Sequence, residues 1–103
     1  MNPATTNKEQ FKEYLKSTNI ASNTINSYQS SLNKKVTESI RDLCNVDLGS
    51  IFAVVDARLL THWMNVLKDK QEFNVLNQET HNALLAALKK YIEYVKHLSK
   101  QSK

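Results

Sequence analysis

The chain contains a single glycine, Gly49, and a single proline, Pro3, among its 103 residues. Glycine and proline form most tight turns, and an all-β domain needs a turn about every 8–12 residues. Because 41% of the residues are hydrophobic and recur at regular spacing, the composition also differs from that of a disordered chain. The sequence therefore predicts one all-α domain, large enough for a single core.

Apolar residues recur in steps of three and four, which predicts four amphipathic helices. These helices cover residues 7–17, 23–43, 57–68 and 78–99. Thr6 and Glu9 have the spacing of a capping box for the first helix, and the N-caps of the others are predicted to be Ser22, Asp56 and Asn77. The predicted apolar stripe of the third helix includes Leu59, Leu60, Trp63 and Leu67, and that of the fourth includes His81, Leu84, Leu88, Tyr91, Ile92 and Val95.

The segments between these helices are shorter and less regular. Residues 51–55 have the composition of a short strand, but no partner strand is found elsewhere. We therefore expect an extended apolar connection packed beneath the helices. Residues 69–76 are predicted to form about one helical turn. The domain is expected to span residues 1–99, and residues 100–103 to form a basic tail or the start of a linker.

Features that the sequence lacks predict the cellular compartment of the protein and the absence of a membrane partner. There is no run of 18 apolar residues, and residues 1–10 lack the apolar region of a secretory signal. The only cysteine, Cys44, has no partner for an intrachain disulfide. These features favour a reducing, cytoplasmic setting with no membrane partner.

No set of residues in the sequence has the pattern of a catalytic or metal site. His62, His81 and His97 lack metal-ligand spacing, and the chain has too few glycines for a phosphate-binding loop. Cys44 is interpreted as a structural thiol. We expect no cofactor, no metal and no small-molecule substrate, and this chain alone is not expected to be an enzyme.

The net charge of +4 is concentrated at one end of the chain. Residues 89–103 hold five lysines and one acid, whereas residues 1–88 hold nine basic and nine acidic side chains. A basic segment of this kind favours a polyanionic partner, although lysines at a helix end also complement the helix dipole and aid solubility.

A second feature is the absence of any charge between residues 17 and 33. With the apolar stripe of the second helix facing inward, the opposite face carries short polar side chains, Lys34 and Arg41. Such a face can approach a phosphate backbone without repulsion, or it can simply be solvated. The predicted helix start at residues 22–24 adds N–H groups suited to a phosphate oxygen.

The fourth helix carries Lys89, Lys96 and Lys100 along one flank and Lys90 on the other. This spacing fits contacts to phosphates. The candidate DNA-contacting residues are Ser22, Asn23, Thr24, Ser27, Lys34, Arg41, Lys89, Lys90, Lys96 and Lys100. An open alternative is a helical protein-interaction module that docks a partner helix on Ala83, Ala86, Ala87 and the uncharged face.

Three segments together resemble the core-binding, N-terminal SAM-like domain of tyrosine recombinases, the phage integrases. The segments are Phe11-x-x-Tyr14-Leu15, Ser22-x-Thr24-Ile25-x-x-Tyr28-x-x-x-Leu32 and Leu84-Leu85-x-x-Leu88-x-x-Tyr91-Ile92-x-Tyr94-Val95. They cover most of the chain and occur in the family's order.

This resemblance implies a compact four- to five-helix SAM-like bundle that binds one face of double-stranded DNA. It also implies a separate C-terminal catalytic domain as a partner, so Tyr91 and Tyr94 have no catalytic role. By position, residues 22–24, Ser27, Lys34 and the lysines of the last helix border the DNA. Similar helical domains precede the nuclease modules of restriction systems, which is a second context for DNA binding.

Overall fold

The computed structural model describes residues 3–101, which form an all-α bundle with no strand in that range. The helices are α1 (Pro3–Ser17), α2 (Ser22–Ser31), α3 (Thr37–Leu43), α4 (Ala57–Lys68), α5 (Gln71–Glu79) and α6 (Ala83–Gln101). A π-helical turn, Leu32–Val36, joins α2 to α3, and a 3₁₀ turn, Ile51–Ala53, precedes α4. Ser102 and Lys103 of the predicted tail lie outside the described residues, and Lys100 belongs to α6.

The predicted second helix is one continuous rod, because the backbone stays right-handed helical from α2 through the π turn into α3. Its apolar residues Tyr28, Leu32, Val36 and Ile40 are four residues apart. On a regular α-helix this spacing drifts by about 40° at each step. The π turn accommodates one extra residue and returns Ile40 to the buried side.

Thr37 fixes this turn from inside the protein. Its buried hydroxyl donates to the Leu32 carbonyl at 2.7 Å and accepts from the Ile51 backbone N–H at 3.1 Å. The π turn and the 3₁₀ turn are therefore joined by one side chain. Ile51 and Phe52 are buried beneath the helices, as predicted, but as a 3₁₀ turn rather than an extended segment.

The bundle is organised around α6, which packs against α1, α2, the π turn, α4 and α5. The predicted stripe of α6 is confirmed at Leu84, Leu88, Tyr91, Ile92 and Val95, all of which are buried. In α4, Leu60, Trp63 and Leu67 are buried as predicted, and Asp56 caps the helix by accepting from the Arg58 and Leu59 N–H groups. The prediction for Leu59 was wrong, since this side chain is 39% exposed.

The predicted start of the fourth helix was wrong. The chain forms a separate helix, α5, and reverses through His81 and Asn82, whose φ values are 56° and 66°, before α6 begins at Ala83. His81 is thus exposed in a turn rather than part of an apolar stripe. Asn77 lies buried in α5, and its Oδ1 still accepts from the Leu85 N–H of α6 at 3.1 Å. Apolar spacing does not show where two helices meet at a left-handed turn.

Two other predicted helix starts also differ from the structure. Helix α1 begins at Pro3, so Thr6 and Glu9 lie inside it and do not form its first turn. Proline is favoured at the first helical position because its missing N–H has no helical partner there. Helix α2 already includes Ser22, and its N-cap is Ala21, which has no capping side chain.

A buried amide on α1 joins three parts of the fold. Asn7 Nδ2 donates to the Phe52 carbonyl at 2.8 Å and to Tyr91 Oη at 2.5 Å. Its Oδ1 accepts from Tyr94 Oη at 2.6 Å, and Tyr91 Oη donates to the Val54 carbonyl at 2.7 Å. Around this network Phe11 packs against Phe52, Tyr91 and Tyr94 with ring centroids 5.4–6.1 Å apart. Helix α1, the 3₁₀ turn and α6 are therefore held together by polar as well as apolar contacts.

We expect Asn7→Ala to lower the free energy of unfolding by about 2–3 kcal/mol, because the Phe52 carbonyl loses its Asn7 donor and the Tyr94 hydroxyl keeps only a longer contact to Gln10 Oε1 at 3.4 Å. Urea unfolding followed by circular dichroism measures this change. Asn26→Ala is the matched control, since Asn26 is an exposed helical asparagine, and it is expected to change stability by less than about 0.5 kcal/mol. Equal effects in the two variants contradict the role assigned to Asn7.

Gly49 and Asn45 are expected to respond in opposite ways to alanine. Gly49 does not have a positive φ, and an added Cβ meets no atom within 4 Å. Gly49→Ala should therefore raise stability by about 0.4–1 kcal/mol by restricting the unfolded chain. Asn45 has a φ of 56°, so Asn45→Ala should lower stability by about 0.5–1 kcal/mol. Thermal unfolding of both variants tests this difference in sign.

Candidate nucleic-acid interface

The rod formed by α2, the π turn and α3 carries six of the ten predicted DNA-contacting residues. Thr24 is half-buried, and the other five are exposed, namely Ser22, Asn23, Ser27, Lys34 and Arg41. Because the π turn holds one extra residue, α3 is rotated about the rod axis by about 100° from the position that a regular α-helix would give it. Arg41 therefore stands to one side of the line through Ser27 and Lys34.

The remaining four predicted residues lie on α6. Lys89, Lys96 and Lys100 are exposed and fall within about 40° of one another around the helix axis. Lys90 lies on the other side, half-buried, with its Nζ 3.2 Å from Glu93 Oε2. Since α6 packs against both α2 and the π turn, the two predicted sets occupy neighbouring elements.

Two of these lysines border a groove that the sequence did not predict. Lys96 and Lys100 line it from α6, and Arg58 lines it from the first turn of α4. The remaining lining residues are Val55, Asp56, Ala57 and Val95. Arg58 was missed because it lies 38 positions before Lys96 in the chain and has no other lysine or arginine within nine positions of it. We call this site the basic groove.

Carboxylates line two other grooves of the bundle. The groove between α3 and α5 is bordered by Glu38, Asp42 and Glu72 together with Lys35. The groove between α1 and α6 is bordered by Glu9 and Glu13. Among the described residues that line the basic groove, the only acid is Asp56, whose carboxylate caps α4. Acidic side chains thus border these two grooves, whereas three cations border the basic groove, which is therefore suited to an anion.

The cysteine and the histidines do not form a catalytic site. Cys44 is half-buried with its Sγ 4.0 Å from the Trp63 carbonyl, and burial raises the pKa of its thiol although Lys70 partly opposes this. His62, His81 and His97 are exposed, and the ring of His97 packs 5.2 Å from that of Tyr14. Within residues 3–101 no three His, Cys, Asp or Glu side chains come together in a way that could hold a metal ion.

The two buried tyrosines of α6 are structural groups. Burial raises the pKa of the Tyr91 hydroxyl above its ordinary value of 10, although the hydrogen bond from Asn7 opposes the shift. Burial likewise raises the pKa of Tyr94. Both hydroxyls donate to partners inside the bundle, Tyr91 to the Val54 carbonyl and Tyr94 to Asn7. Neither hydroxyl is therefore available as a nucleophile.

The small residues of α6 are largely used within the domain. Ala87 is fully buried, while Ala83 and Ala86 are half-buried. Among the residues whose exposure the structure describes, the larger apolar side chains that are exposed are Val55, Leu59 and Val75. The alanine patch considered for a partner helix is thus mostly covered by packing inside the bundle.

Comparison with known protein families matches residues 9–98 to the family described as phage integrase, N-terminal SAM-like domain. No curated protein and no solved structure matched the chain. Among the described residues, no helix has both the length and the apolar character needed to cross a lipid bilayer.

The raised tyrosine pKa values predict that the protein loses stability in base. Above pH 10 the unfolded chain releases the Tyr91 proton while the folded protein retains it, so the free energy of unfolding falls as the pH rises. Tyr91 contributes up to about 1.4 kcal/mol per pH unit to this slope. Urea unfolding between about pH 9 and 11 should give a shallower slope for Tyr91→Phe than for the wild type. Identical slopes contradict the prediction.

Proposed function

Because the chain belongs to the family of phage integrase N-terminal SAM-like domains, we propose that it binds double-stranded DNA. In this proposal the domain docks on the phosphate backbone and positions a separate C-terminal catalytic domain. The family match is the observation that carries the proposal, and the charge distribution supports it independently. The proposal assigns the domain a binding role and assigns catalysis to the other domain.

The charge distribution favours docking on phosphates. Lys89, Lys96 and Lys100 share one side of α6 and make no ion pair within residues 3–101. Free lysines of this kind can replace the counterions that surround DNA, and the release of those counterions drives binding. Lys90 is a weaker contributor because its charge is shared with Glu93.

The rod of α2 and α3 has a different role in this proposal. Its exposed residues Asn23, Ser27 and Lys34 offer short hydrogen-bonding groups and a cation. Side chains of these types donate to phosphate oxygens and fix the register of a protein on the duplex. α6 presents no arginine, so bidentate recognition of guanine is not expected from that helix. Arg41 of α3 is the residue of the predicted set that has the donor geometry for it.

Salt dependence tests the proposal. A random duplex of about 20 base pairs is titrated with the protein at low salt and again at about 200 mM salt, and binding is followed by fluorescence anisotropy. We expect the affinity to fall by orders of magnitude between the two conditions, because each phosphate contact releases counterions. Absence of binding at low salt overturns the proposal. Salt-insensitive association of the protein with itself would instead favour the interaction module.

A double variant tests the contribution of α6. Lys89→Glu/Lys96→Glu is expected to weaken binding and to reduce the slope of log affinity against log salt by about 2. Lys12→Glu/Lys68→Glu is the matched control, because both lysines are exposed and neither lies on α6. The thermal unfolding midpoint of each variant verifies that the fold is retained. Equal binding by the two double variants would remove α6 from the contact surface.

A further inference from the structure

We propose that the basic groove is a phosphate-binding site in which Arg58 of α4 acts together with Lys96 and Lys100 of α6 on the DNA backbone. This inference rests on the proposed function and adds Arg58, and with it helix α4, to the contact surface. The proposed DNA-contact surface thus extends from α6 to the first turn of α4.

The three cations reach one groove from two helices. Lys96 and Lys100 are one helical turn apart on α6, so their side chains lie one above the other. Arg58 lines the same groove from the first turn of α4. All three side chains are exposed, and none forms an ion pair with an acid of residues 3–101. Three unpaired cations around one groove favour binding of an anion.

The acid in the groove is already engaged. Asp56 Oδ1 accepts from the backbone N–H groups of Arg58 and Leu59 at 3.0 and 3.2 Å. One oxygen of the carboxylate is therefore held at the helix start, and the carboxylate forms no ion pair with the guanidinium of Arg58. This leaves the five N–H donors of that guanidinium free for a ligand, and their planar fork matches two oxygens of a phosphate.

The apolar lining favours a phosphodiester over a free inorganic anion. Val55 is 58% exposed at the groove, and Val95 is buried beneath it. A backbone phosphate is flanked by deoxyribose, whose carbon atoms can pack on Val55. A small hydrated anion gains nothing from that side chain. The groove therefore fits the alternating apolar and anionic character of a nucleic-acid strand.

The test compares Arg58→Gln with Arg58→Lys in the duplex titration described above. Arg58→Gln keeps the backbone N–H that Asp56 accepts from, so the cap of α4 is retained. We expect it to reduce the salt slope by about one and to weaken binding about fivefold to tenfold. Arg58→Lys should preserve the slope, because the charge remains, but lose part of the affinity with the fork geometry. Lys12→Gln, an equal loss of charge outside the groove, should change neither quantity.

The outcomes separate this inference from the proposed function. If the wild type binds and Lys89→Glu/Lys96→Glu weakens binding, but Arg58→Gln behaves like Lys12→Gln, the basic groove is overturned and the function stands. If the wild type does not bind the duplex, the function is overturned, and the groove is examined by NMR with the dinucleotide dTpdT as the probe, because its single phosphodiester is flanked by two deoxyriboses. Arg41 and Arg58 are the only arginines of the chain. A shift confined to the Nε–H signal of Arg58 supports the phosphate site, and no shift overturns it.

Discussion

A single buried amide determines how the first and last helices of this domain meet. Asn7 offers a donor to the Phe52 carbonyl and to Tyr91, and an acceptor to Tyr94. In an apolar core each of these groups would be costly if it were left unpaired. The geometry of the bundle is therefore limited to arrangements in which α1, the 3₁₀ turn and α6 meet at one point. Apolar packing around Phe11 tolerates small shifts, whereas directional hydrogen bonds do not.

Much of the fold could be predicted because its helices carry clear apolar stripes. The core positions Leu60, Trp63, Leu67, Leu88 and Tyr91 follow from spacing alone. Spacing could not place the boundary between α5 and α6, since the reversal depends on two residues that adopt a left-handed backbone without glycine. It also could not identify Asn7, a polar residue four positions before Phe11 on the buried side of α1. Its hydrogen-bond partners lie 45 to 87 residues away in the chain.

The candidate site was predictable only where its residues lie close together in the sequence. The lysines of α6 share a helix, so their common side follows from a period of 3.6 residues. Arg58 joins Lys96 and Lys100 through the packing of α4 on α6, which no periodicity describes. A solitary arginine in a helix start has no sequence feature that distinguishes it from other surface cations. What distinguishes Arg58 is the groove that it lines with Lys96 and Lys100, since two other grooves, between α1 and α6 and between α3 and α5, are lined by carboxylates.

The π turn lets the rod hold one residue more than a regular α-helix would hold between the same two ends. A regular α-helix through all of the present residues would turn α3 by about 100°. Ile40 would then leave the core, and the hydroxyl of Thr37 would no longer reach both the Leu32 carbonyl and the Ile51 N–H. Loss of one residue between Ser31 and Thr37 would instead remove the extra residue and leave Ile40 on the buried side, so the orientation of α3 depends on the π turn and the residue count together.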